Sequence, residues 1–205
     1  MKRGALEFAS QYFTSVDTLV EVGVQTGMNA LAMYNALNPR MMYLVDRYVV
    51  YTPQEIALSK LVQAEVIEGT WDQAQLDKYK SMAMAVVADT RHEFLFEESR
   101  VASLHVPDEL DMVYLDATHD ECNMLVDIAC WWPKVRIGGI MSGHDYKSRD
   151  ANPKPGVQLA VDHIFGKVSS GRGLDGQRGG LDWWVVKHAP VYSADRKERQ
   201  WHGFT

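Results

Sequence analysis

The chain has little sulfur chemistry available, with two cysteines, Cys122 and Cys130, among 205 residues. Both fall within one expected helix. At ~1.5 Å rise per residue their separation is about 12 Å, which excludes a disulfide between them. They read as helix-face or core thiols of a reducing compartment. Long apolar runs are also missing. No stretch reaches the ~18 residues of a membrane span, and Met1-Lys2-Arg3 leads into an amphipathic segment instead of a signal sequence. The expected setting is cytoplasmic, with no membrane partner. Positive charge is in deficit, since 21 Lys and Arg against 27 Asp and Glu leave a net charge of −6 with no basic block. That balance argues against a nucleic-acid backbone as main partner, although Lys147, Arg149 and Lys154 could form a local patch. The remaining composition, 46% hydrophobic and 23% charged, suits one soluble α/β domain over 1–205.

The chain is organised around Thr18-Leu19-Val20-Glu21-Val22-Gly23-Val24-Gln25-Thr26-Gly27. Leu19 to Val24 predicts a short buried strand, Gly23 and Gly27 punctuate a turn, and Met28 to Leu37 predicts a helix. Such a strand–turn–helix leaves backbone N–H groups and a helix N-terminus open to a ligand. Gly23 supplies a positive φ, and Gly27 permits a close approach to the backbone. The spacing is not the dinucleotide pattern Gly-x-Gly-x-x-Gly, because Gln25 stands where a glycine would be needed.

Around this stretch, Ala5 to Phe13 predicts a helix and Met41 to Val45 a second strand ending in Asp46. Pro53 to Glu68 and Trp71 to Met82 predict helices. Met84 to Ala88 is expected to be a third strand, followed by Asp89-Thr90 and a helical run through residues 91–96. Leu110 to Leu115 predicts a fourth strand ending in Asp116, and Asp120 to Trp132 a helix stopped by Pro133. Ile137 to Ser142 predicts a fifth strand, ending at Gly143-His144-Asp145-Tyr146. A loop over 147–156, a helix over Val157 to Phe165, a glycine-rich segment over 169–180 and a final strand over Leu181 to Lys187 complete the chain. The polar tail from Ala189 could dock on the body or on a second copy in a homo-oligomer.

In an open parallel sheet, ligands sit beyond the carboxyl ends of the strands. Asp46, about 20 residues past the glycine loop, is placed to accept hydrogen bonds from a ribose diol. That supports a nucleoside without choosing between a methyl donor and NAD. Asp116, His119, His144 and Asp145 fall at further strand ends on the same edge.

Taken together, Glu21-x-Gly23-x-x-x-Gly27, Asp46, Asp116-Ala-Thr-His119, Asp127, Trp131, Gly138-Gly139 and Gly143-His144-Asp145 resemble the class I S-adenosylmethionine (SAM) methyltransferases. The likeness is to the family related to sugar and antibiotic O-methyltransferases, and it extends over residues 17–187. It implies a doubly wound, mostly parallel seven-stranded sheet in the order 3-2-1-4-5-7-6, the last strand antiparallel. It further implies SAM lying over Glu21, Gly23, Val24, Thr26 and Gly27, with Asp46 holding the ribose, Asp89 and Thr90 bordering the adenine, and Arg47 and Asp116 also binding the cofactor. In metal-dependent relatives the positions matching Asp116, His144 and Asp145 bind Mg²⁺. His144 stands here in place of an acid, which favours Mn²⁺, Fe²⁺ or Zn²⁺ over Mg²⁺, and the alternative is a pocket shaped without metal. The implied reaction is O-methylation of a small hydroxylated acceptor, with His119 as base, as the matching histidine is in related enzymes, and His144 in reserve. A structural role for His119, capping its helix or packing on Trp131 or Trp132, stays open. So do an NAD-dependent oxidoreductase and a SAM-binding module without turnover.

Overall fold

The strand expected ahead of the glycine turn forms as Thr18–Val22 (β1), and the one ending in Asp46 forms as Met41–Val45 (β2). His92–Leu95 (β3), Leu110–Leu115 (β4), Val135–Gly143 (β5), Ser169–Gly171 (β6) and Asp182–Val186 (β7) follow. The computed structural model describes residues 3–61, 71–146, 156–172 and 181–189, with side chains as far as Ala57 in the first of these. The strands form one sheet in the order β3-β2-β1-β4-β5-β7-β6. β1 to β5 pair in parallel, and β7 runs antiparallel to both β5 and β6. Order and reversal are those implied by the resemblance.

The helices are Gly4–Tyr12 (α1), Met28–Leu37 (α2), Pro53–Leu61 (α3), Gln73–Val86 (α4), Ser99–Ala102 (α5), Glu121–Trp131 (α6) and Gly156–Phe165 (α7). Local chemistry starts two of them. Asp72 accepts from Gln75 N at 2.8 Å, and Asp120 accepts from Asn123 N at 2.9 Å, each satisfying an otherwise unpaired first-turn donor.

Strand alternation divides the core into two layers. Val20, Val22, Val113, Leu115 and Met141 pack with Met124, Ile128 and Trp131 of α6 and with Val157, Ala160 and Val161 of α7. On the other face Leu19, Met112, Tyr114 and Ile140 pack with Ala5, Leu6 and Ala9 of α1 and with Ala30 and Met33 of α2. Every residue of β4 is buried, as a central strand covered on both faces requires.

One element is displaced from its expected place. Residues 84–86 end α4 instead of forming a strand, and β3 occupies 92–95, where a helical run was expected. Val86 and Val87 have strand-forming side chains, but Val86 closes a fourteen-residue helix capped by Asp72, and Ala83 of that helix lies against Gly27. The true third strand lies in the alternation of His92, Phe94 and Phe96. His92, expected on a helix surface, is a strand residue 5.2 Å from the Phe94 ring. α5 was not expected, β6 was implied by the seven-strand order but given no residues of its own, and β5 starts at Val135, two residues early. The expectations for residues 62–70, 147–155, 173–180 and 190–205 lie outside the described residues.

Candidate functional site

The turn after β1 is fixed by contacts no larger residue would allow. Gly23 has φ +89°, and a Cβ there would lie 2.2 Å from the carbonyl oxygen of Asp116. Gly23 N donates to Val45 O at 2.9 Å, and Asp116 N donates to Val22 O at 2.8 Å. The tips of β2, β1 and β4 are thus tied side by side. Gly27, at φ +77°, does permit a close approach, and the group that approaches is Ala83 of α4, whose Cα would be 3.0 Å from a Cβ.

Asp46 acts on the same turn. Its Oδ2 accepts from Val24 N at 3.1 Å and Gln25 N at 2.9 Å, while Oδ1 accepts from Tyr48 N at 3.1 Å. The Tyr48 hydroxyl donates to Gln25 O at 2.7 Å. Burial pushes the Asp46 carboxyl up, and these three N–H donors oppose it. Arg47, expected to bind the cofactor, pairs with Glu55 at 3.0 Å and with Glu98, and lies over the Tyr51 ring.

Glu21 lies under the turn with 1% of its surface exposed. Its Oε1 accepts from Asn29 Nδ2 at 2.8 Å, whereas Oε2 and Asn29 Oδ1 are buried without hydrogen-bond partners. Desolvation pushes this carboxyl up to about 8; the Asn29 hydrogen bond lowers it and the charge of Asp116 raises it further. A buried, half-satisfied acid under a glycine turn fits a cofactor that brings its own positive charge.

Asp116, His119, His144 and Asp145 come together as expected. His119 Nε2 is 3.0 Å from Asp145 Oδ2, and His144 Nδ1 is 3.2 Å from the same oxygen and 3.7 Å from Asp116 Oδ1. Burial pushes Asp116 up to about 6 against the opposing charges of Arg3 and His144. Burial also pushes Asp145 up, but its two imidazole partners override this and hold it well below the usual carboxylate range.

The three expected metal ligands, Asp116, His144 and Asp145, each offer an atom within 4.8 Å of the others. Their chemistry does not fit Mg²⁺, which takes oxygen donors in a near-octahedral shell. One donor is an imidazole, and Asp116 Oδ2 already pairs with the Arg3 guanidinium at 3.2 Å.

Asp89 and Thr90 are not brought to this edge. Both precede β3, which runs parallel to β2 with His92 opposite Met42 and Leu95 opposite Val45. They therefore lie at the amino end of the strands, where the Thr90 hydroxyl donates to Val87 O at 2.8 Å. The misplacement follows from the displaced third strand. The residues that do follow β3 are Phe96, Glu97 and Glu98. Phe96 lies edge-on to Tyr48 with ring centroids 6.1 Å apart, and Lys80 Nζ is 3.6 Å from its ring centre. Period-two reading of 92–96 would have found them. Sequence reasoning also missed Arg3 and Asp182. The acid at the start of an apolar strand was a usable signal for Asp182, whereas nothing local marks Arg3.

Residues 20–146 match a family model described as a methyltransferase domain. No curated protein matches the sequence. Among solved structures, the chain is similar to an O-methyltransferase from Bacillus cereus in complex with S-adenosylhomocysteine (SAH), at 14% identity and TM-score 0.58, covering 91% of this chain and 82% of that one. It is also similar to an rRNA methylase from Streptococcus thermophilus, at 11% identity and TM-score 0.57, covering 90% and 95%. A third similar structure is the N-methyltransferase NodS from Bradyrhizobium japonicum with SAH, at 13% identity and TM-score 0.56, covering 88% and 82%. At these identities the likeness is one of fold.

Proposed function

The chain belongs to the methyltransferase-domain family, the class I SAM-dependent methyltransferases, and on that footing we propose that it methylates a hydroxyl of a small acceptor using SAM. The observation that carries this reading is the cluster at the carboxyl edge. Two imidazoles share Oδ2 of Asp145 at 3.0 and 3.2 Å, beside Asp116 and one strand away from the glycine turn.

The backbone of Gly23 to Gly27 and the N-terminus of α2 would hold the cofactor, with Glu21 below and Asp46 at the side. Val24 and Thr26 belong to this cradle, and Arg47 acts indirectly by tying the β2 tip to Glu55 and Glu98. When bound, SAM supplies a methyl group on a positively charged sulfur, an electrophile that needs alignment more than covalent help. The chain must then take the proton from the acceptor hydroxyl. His119 performs this step in our reading. The 3.0 Å contact of its Nε2 with Asp145 orients the imidazole, whose ordinary titration range suits proton transfer near neutral pH. Its side chain is 33% exposed against 16% for His144, so an acceptor reaches His119 first. His144, held between Asp145 and Asp116, orients the two carboxylates and is the reserve base.

A small acceptor is preferred to nucleic acid because the net charge is −6. Thermal-shift titrations with SAH, SAM and NAD test the cofactor, and stabilisation by NAD alone rejects the proposal. Transfer of labelled methyl to a panel of hydroxylated small molecules and to RNA tests the acceptor. His119→Ala is expected to lower kcat about 10²- to 10⁴-fold with SAH affinity unchanged. Cofactor binding with no transfer to any acceptor would leave a binding module, and transfer to RNA alone would correct the acceptor class.

A further inference from the structure

Arg3 precedes α1 in sequence and is far from the glycine turn along the chain, yet its side chain is 15% exposed and reaches the acceptor corner. One guanidinium nitrogen lies 3.2 Å from Asp116 Oδ2 and the other 3.7 Å from Asp182 Oδ1. The guanidinium carbon sits 5.9 Å from the centre of the Tyr114 ring. Asp182 is itself fixed, accepting from the Tyr114 hydroxyl at 2.9 Å and from Ala5 N, at the start of α1, at 3.0 Å. The arginine is therefore built into the junction of α1, β4 and β7. Its Nε is buried without a hydrogen-bond partner, a cost that a mere surface ion pair would not carry.

We propose that Arg3 is the resident cation of this corner, holding Asp116 by charge and orientation where a divalent ion would otherwise sit, so that the site works without metal. Both Asp116 oxygens face cationic or donor groups, Oδ2 toward Arg3 and Oδ1 toward His144, and Asp145 is bridged by the two imidazoles. A divalent ion among these oxygens would have to displace donor contacts already made and would lie beside a fixed guanidinium. Arginine suits the role, being always charged and planar in its donors. Arg3 acts through Asp116 and is a positioning residue. The inference concerns the same corner as the proposed methyl transfer but is read from ion binding, so either can fail without the other.

The test is Mn²⁺ titration of the full chain, followed by loss of the free-ion electron paramagnetic resonance signal. Wild type is expected to show no saturable site, and EDTA to leave its SAH affinity unchanged. Arg3→Met should acquire a Mn²⁺ site at least about tenfold tighter than any in the Arg3→Met, Asp116→Asn double variant, while Arg3→Lys should not. A saturable wild-type site abolished by Asp116→Asn overturns the proposal, and this comparison stands even if Arg3→Met does not fold. A folded Arg3→Met that gains no Mn²⁺ site overturns it equally.

Discussion

Replacing Glu21 by Gln should stabilise the protein, and the gain should depend on pH. The carboxyl is 1% exposed, with one oxygen unpartnered. Below its ordinary value of 4.5 it is protonated in both folded and unfolded chains, and the substitution changes little. Between 4.5 and about 8 the unfolded chain releases the proton while the folded chain keeps it, so wild-type stability falls as pH rises. Above about 8 the loss is complete. At 1.36 kcal/mol per pH unit the upper bound is about 5 kcal/mol, and relaxation around a buried charge brings the expected gain to about 2–3 kcal/mol. The introduced amide keeps the shape, and Asn29 offers both a donor and the unpartnered Oδ1 as acceptor. The assay is urea unfolding of both proteins from pH 5 to 9, reported as the difference so that other groups cancel. Calorimetry with SAM should show binding weakened in Glu21→Gln above about pH 8, where the wild-type carboxyl under the cradle is ionised, and little changed at about pH 6. A stability difference that does not grow with pH, or a Gln variant less stable at pH 8.5, refutes the reasoning.

Gly23→Ala should destabilise the chain by more than about 1 kcal/mol, because the position has φ +89° and a Cβ would lie 2.2 Å from a backbone oxygen; thermal unfolding and SAH affinity should fall together. Asp145→Asn removes the shared partner of His119 and His144, and is expected to lower kcat about 10- to 100-fold with SAH affinity kept, measured by steady-state kinetics and calorimetry. Asp182→Asn removes the counter-charge of Arg3 and weakens the bond to Ala5 N; a loss of about 1–3 kcal/mol in unfolding free energy is expected, and an unchanged value would separate α1 docking from this acid.

The parts of the fold that sequence made legible are those with one dominant local signal. β1, β2 and β4 are short apolar runs ending in an acid or a glycine turn, and α2 and α6 have clean starts and stops. The region 84–96 failed because two signals competed. Valines at 86–87 suggested a strand, while the alternation at 92–96 was hidden by His92 and Glu93, charged or polar at an edge strand. The helix that takes in residues 84–86 sets Ala83 against Gly27, a tertiary contact that no local window contains. The site divides in the same way. Asp46, Asp116, His119, His144 and Asp145 were legible because each sits at the tip of a recognisable strand. Arg3 was not, since its partners lie more than a hundred residues away.

The turn after β1 is moulded by the protein's own groups, with one carboxylate gathering two successive amides and a phenol anchoring the next carbonyl. A ligand arriving there meets a seat already set, and little of its binding energy is consumed in ordering the chain. Affinity at this seat should therefore track what each ligand touches. Analogues trimmed at distant atoms should lose the contribution of those atoms and little more.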